Sequence, residues 1–68
     1  SDLRDGLMTK QLKTNKDVYD YTLEQGHIPN HAVEELKKMK KEGLIKYDRT
    51  PKVNYEQVYK SKNIITYE

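Results

Sequence analysis

Apolar residues along the chain fall into two helical stretches followed by a more extended one. Val18, Tyr19, Thr22 and Leu23 recur at the three- and four-residue spacing that keeps side chains on one side of a helix. Thr14 stands just before them as an N-cap, its hydroxyl able to accept from a free first-turn amide, and Asp17 three residues on completes a capping-box pair. The pattern predicts a helix from about Asn15 to Gln25, with Tyr21 at the edge of its apolar face and Gly26 as the left-handed residue that ends it. A second helix is predicted from His31 to Glu42, with Asn30 as its N-cap and Gly43 closing it. Centred on Leu36, its inner face takes in Ala32, Val33, Met39 and the stem of Lys40, while His31, Glu34, Lys38 and Lys41 point the other way. His27, Ile28 and Pro29 form the turn between the helices, with Ile28 as a buried plug and Pro29 holding its predecessor out of helical geometry.

After Gly43 the pattern changes. Leu44 to Tyr47 reads as a strand, Asp48 to Lys52 (DRTPK) as a charged turn, and Ile64 to Tyr67 as the strand that pairs with Leu44 to Tyr47. Between them the chain has two readings. Val53 and Tyr55 suit a returning strand, but Asn54 with Gln57 also makes a cap for a single helical turn through Lys60. Residues 1–13 are equally open: Leu3, Leu7 and Met8 suit a helical face that Gly6 interrupts, and the same segment suits a leader strand pairing with the wing. The order helix, short turn, helix, Gly-Leu-Ile, strand predicts an α+β fold. It is that of a small winged helix-turn-helix domain with two or three helices and a short antiparallel β-ribbon wing.

Length confines this to one domain over residues 1–68, one that buries only roughly 60% of its unfolded surface. Without cysteine there is no disulfide framework and no thiolate zinc site to stabilise it. Charged residues make up 35% of the chain, yet six tyrosines supply the bulk that disordered sequences lack. Tyr19, Tyr47 and Tyr67 are the expected core members among them. No apolar run is long enough for a membrane span or a signal-peptide core, which points to a cytoplasmic protein. A start at Ser1 rather than Met fits a domain excised from the C-terminus of a larger protein.

Charge is distributed unevenly. From Ser1 to Leu36 four Lys/Arg face seven Asp/Glu, a net −3, whereas from Lys37 to Lys62 nine face three, a net +6. Lys37, Lys38, Lys40 and Lys41 make the end of the second helix a candidate phosphate-binding surface, and Arg49 and Lys52 on the wing, with Lys60 and Lys62 beyond, extend it. The alternative is a solvated helix face, neutralised by Glu34–Lys38, Glu35–Lys38 and Lys38–Glu42 pairs. Glu34 and Glu35 sit where a recognition helix would enter a groove and repel phosphate there. His31 and Glu34 would face any bases. Asn30 has the chemistry to read adenine, though capping already accounts for it. A metal pair at His27 and His31 is opposed by Pro29 between them. The tyrosines also offer stacking surfaces for single-stranded nucleic acid. With no cysteine, no Gly-rich phosphate loop and no nucleophile elbow, the sequence predicts no catalytic site and no cofactor.

GLMTK at Gly6 to Lys10, the run from Thr14 to Tyr47 (TNKDVYDYTLEQGHIPNHAVEELKKMKKEGLIKY) and VNYEQVYK at Val53 to Lys60 together resemble the winged-helix (GMT-like wHTH) domain. That domain lies at the C-terminus of bacterial three-Cys-motif partner proteins. The resemblance implies a prokaryotic or phage-linked multidomain parent in which a larger domain precedes this one, with a three-Cys-motif protein as genetic neighbour. It supplies no catalytic residues. Two functions fit these observations. One is a non-catalytic module binding DNA or RNA backbone through Lys37, Lys38, Lys41, Arg49 and Lys52, with His31 nearby. The other is a protein-interaction module docking the parent's larger domain or a partner, with Tyr55 and Tyr59 as its contact residues.

Overall fold

The computed structural model describes residues 2–68, Asp2 by its backbone alone; Ser1, expected in a loose flank, lies outside the described residues. Three α-helices are followed by a single π-helical turn: α1 (Asp2–Met8), α2 (Asn15–Glu24), α3 (Pro29–Lys41) and the turn Glu56–Lys60. The helical reading of the first thirteen residues holds for Asp2–Met8, and no leader strand forms among the described residues. The first seven described residues are helical, and Gly6 lies inside that helix because Leu12 folds back over it, within 2.7 Å of where a Cβ would stand. The segment then turns through Lys10 and reaches Thr14, which forms an antiparallel bridge with Thr66.

α2 starts as its sequence dictates. The Thr14 side chain accepts from the Asp17 amide, and the Asp17 carboxylate accepts from the amides of Thr14 and Lys13. Its end is equally determined: Gly26, at φ 78°, donates to the Leu23 carbonyl and His27 to that of Thr22, the paired bonds of a Schellman cap. α3 ends the same way, with Gly43 at φ 80° donating to Lys40 and Leu44 to Met39. Leu44 therefore belongs to the cap and not to a strand.

The start of α3 departs from expectation. Asn30 is not its N-cap; Ile28 holds that position in extended geometry, without a side-chain cap bond, and Pro29 is the first helical residue. Proline has no amide to leave unsatisfied there, and its fixed φ is already helical, so the helix begins two residues before His31. Ile28 is consequently no plug: 54% of it is exposed.

The core is built where the three helices meet. Val18, Leu36 and Met39 are fully buried, with Leu7, Tyr19 and Ala32 around them and Leu3, Leu12 and Val33 at the margin. Leu23, expected inside, is 49% exposed. The π-helical turn covers α2 beside Lys16, Tyr19 and Asp20 through Tyr59, and Leu23 lies one turn beyond that cover. Asn15 occupies the apolar column in its place.

No strand forms among the described residues, so the expected β-ribbon is reduced to isolated pairs. Lys46 and Glu68 exchange two backbone hydrogen bonds, at 2.7 and 3.3 Å, while Asn15 donates to Ile65 and Tyr67 to Lys13 on the other side. The C-terminal segment thus runs between the Lys13–Asn15 corner and the chain leaving α3. The intervening residues take the helical alternative: the Asn54 side chain caps Gln57, and Glu56–Lys60 forms the π-helical turn. Val53, Val58, Ile45 and Tyr67 turn inward from this region and close the core from below.

Candidate nucleic-acid interface

α3 presents one face to α1 and α2 and the other to solvent. His31, Glu34, Lys37, Lys38 and Lys41 are all exposed, and Lys37, Lys38 and Lys41 are helical neighbours at three- and four-residue spacing. Lys40 behaves differently. Exposed itself, it places its ammonium 4.3 Å from the centroid of the half-buried Tyr47 ring, so its charge is engaged there.

Two of the three acidic residues expected to neutralise the lysines, Glu35 and Glu42, are engaged elsewhere. Arg4 of α1 reaches across to α3, its Nε 3.2 Å from Glu35 Oε1 and its Nη1 3.1 Å from Glu42 Oε1. These bonds, to Glu42 first and Glu35 second, push the guanidinium further above its ordinary value and keep it charged. Among the described residues no ion pair joins Lys37, Lys38 or Lys41 to a carboxylate, so the Glu34–Lys38, Glu35–Lys38 and Lys38–Glu42 pairs do not form. Nothing in the sequence pattern signals Arg4, because its partners lie 31 and 38 residues away.

The segment expected to form the wing is positioned by a relay of tyrosines and one asparagine. Tyr47 meets Tyr67 edge-on, with ring centroids 5.8 Å apart, and the Tyr67 hydroxyl donates to the Pro51 carbonyl. Burial, then the neighbouring Tyr47, pushes the Tyr67 hydroxyl well above the ordinary tyrosine range. Contacts therefore run from Lys40 at the end of α3 to Pro51, between Arg49 and Lys52. Arg49 is exposed and Lys52 half-buried, both with positive φ, at 61° and 56°. Lys52 is also anchored through its carbonyl, which accepts from Asn15 Nδ2 at 2.8 Å. The same nitrogen donates to the Asn63 carbonyl at 3.0 Å, and Asn15 Oδ1 accepts from the Ile65 amide at 2.9 Å. Asn15 has no exposed surface, and its three bonds tie Lys52 and the 63–65 segment to the start of α2. A polar residue in register with Val18, Tyr19 and Thr22 was the available signal for it.

Elsewhere, Leu3, Tyr21, Thr22, Gln25, His27, His31, Ala32 and Glu35 line an open cleft of about 510 Å³ between the helices. The His27 and His31 ring centroids lie 6.2 Å apart, and among the described residues no group of three or more histidines and carboxylates could hold a metal ion. His31 thus stands at this cleft, two turns from Lys38. Tyr59 packs edge-on against Tyr19 and beside Tyr55, and its hydroxyl donates to Asp20. That bond, assisted by Lys16, lowers the Asp20 carboxyl below its ordinary range; the same bond raises the Tyr59 hydroxyl, against the opposing charge of Lys16. No helix among the described residues is long and apolar enough to cross a membrane.

A family model described as the GMT-like wHTH domain matches residues 1–52, a range that includes all three α-helices and the chain beyond them as far as Lys52. Residues 53–68 fall outside it, so the resemblance read at Val53 to Lys60 is not part of the match. No curated protein and no solved structure matches the chain.

Proposed function

The chain belongs to the GMT-like wHTH domain family, and from that premise we propose a non-catalytic module that binds the backbone of duplex nucleic acid through the end of α3 and the wing. Lys37, Lys38 and Lys41 contact phosphates on one strand, and Arg49 and Lys52 reach a second stretch of backbone. In the parent protein this module is a cytoplasmic appendage that adds electrostatic affinity rather than sequence reading.

The observation that carries the reading is the division of charge on α3. Among the described residues three exposed lysines have no carboxylate partner, while Glu35 and Glu42 are held by Arg4. Glu34 remains exposed toward the N-terminal end of the helix, where it opposes close approach to bases. Hence His31 and Glu34 border the interface and the lysine-rich end forms its centre. A titration of the domain with duplex DNA at low salt, followed residue by residue by NMR, tests this. Shifts should concentrate at Lys37, Lys38, Lys41, Arg49 and Lys52 and collapse as salt is raised; shifts that are absent or indifferent to salt end the proposal.

A second reading, docking onto a protein partner, is favoured by one observation: Tyr55 is 57% and Tyr59 39% exposed on the π-helical turn. Co-purification with the parent protein's larger domain should then be lost on replacing both tyrosines by serine. Retention would exclude that surface.

A further inference from the structure

Lys38 has three carboxylates within reach: Glu34 and Glu35, four and three residues before it, and Glu42 at the C-cap of α3, four residues after it. Exposed Glu34 forms no ion pair with it among the described residues, and the other two, which flank Lys38 on the side of α1, choose another partner. The Arg4 fork takes Glu35 through Nε and Glu42 through Nη1, with Nη2 3.5 Å from the second Glu42 oxygen. The preference has a physical basis. A guanidinium presents several donors in a fixed plane, so one group satisfies two carboxylates at once, whereas a lysine would have to give up hydration and rotamer freedom for each. α1 carries Arg4 to this position by packing Leu3 and Leu7 against the core. The side chains of Arg4, Glu35 and Glu42 remain 29%, 25% and 39% exposed, so the cluster sits beside the lysine face and not beneath it.

We infer that Arg4 is a positioning residue for backbone binding: by holding Glu35 and Glu42 it keeps Lys38 free to meet phosphate, so the docking of α1 sets the charge available on α3. This rests on the backbone-binding reading above. Without Arg4, Lys38 falls between two uncompensated carboxylates and turns to them. The α3 surface then loses a cation and gains anionic character at once. Any event that lifts α1 from α3 weakens binding by the same route.

The test is a cycle of four proteins: the wild-type chain, Arg4→Gln, Glu35→Gln/Glu42→Gln, and the triple variant, each titrated with a short DNA duplex. Arg4→Gln should weaken binding about fivefold, whereas in the Glu35→Gln/Glu42→Gln background the same change should cost less than about twofold. Equal costs in the two backgrounds, or none in the first, overturn the inference. The Lys38 side-chain ammonium resonance of the free proteins provides a readout independent of DNA. It should be broadened by solvent exchange in the wild type and sharpen in Arg4→Gln as the ammonium is held by Glu35 or Glu42. An unchanged resonance contradicts the competition. If the wild-type chain fails to bind duplex, the proposed function falls, and the Lys38 resonance still decides whether Arg4 governs the α3 charges. If Arg4→Gln does not fold, Glu35→Gln/Glu42→Gln decides: it should retain wild-type binding or better, and weaker binding refutes the role.

Discussion

Replacing Asn15 by alanine should cost this domain much of its stability, because the residue anchors the segment that carries Lys52. The change removes three hydrogen bonds from a side chain with no exposed surface and leaves the Lys52 and Asn63 carbonyls and the Ile65 amide without their partner. An orphaned buried group costs about 1–3 kcal/mol. Lys52 and Ile65 are half-buried and Asn63 is exposed, so water can reach part of the wound and the lower figure applies. Three groups then give a loss of about 3 kcal/mol. A domain of this size has roughly 3–10 kcal/mol in all. In urea, at a slope of roughly 1 kcal/mol per M, the midpoint should fall by about 2–3 M with the slope little changed. Asn15→Asp should be worse at neutral pH, since a carboxylate replaces the donor that faces two carbonyls, and should recover in part as acid protonates it. A loss below about 1 kcal/mol for the alanine variant would show that the wing is not held by this residue.

Tyr67 and Gly43 provide further checks. Because burial raises the Tyr67 hydroxyl above its unfolded value near 10, its contribution is full below that pH and is lost as pH rises toward the folded value. Wild-type stability should therefore fall above pH 10 by up to about 1.4 kcal/mol per unit from this group, and Tyr67→Phe, weaker at neutral pH, should show a shallower alkaline fall; identical slopes in denaturation curves would refute the assignment. Gly43→Ala introduces a Cβ into open space at φ 80°, so its cost is backbone strain alone, about 1 kcal/mol by urea denaturation. A stabilised variant would mean that α3 does not end in this cap.

Signals confined to a few residues were legible in the sequence. The Thr14–Asp17 box, the glycines at 26 and 43 and the Leu36-centred face are each set by neighbours within one or two helical turns, and all three stand in the structure. The beginning of α3 was misread because two local rules compete there: Asn30 is a good cap, but Pro29 is better suited to the first helical position. Leu23 and Ile28 were placed inside because apolar periodicity does not tell how far a neighbouring element extends. The remaining features depend on distant partners. Arg4 with Glu35 and Glu42, and Asn15 with Lys52, Asn63 and Ile65, are contacts across 31 to 50 residues, invisible to spacing rules. So the lysines of the candidate interface could be named from sequence, but their freedom from acidic partners could not.

Duplex affinity measured across a range of salt concentrations tests the backbone-binding account most directly. With Lys37, Lys38, Lys41, Arg49 and Lys52 each displacing a counterion, the slope of log K against log salt should be about −4.5 for the wild-type chain. Replacing Lys37, Lys38 and Lys41 together by glutamine should reduce its magnitude by about 2.7, with similar losses on unrelated duplex sequences. A slope unchanged by that triple substitution, or affinity independent of salt, would contradict the account.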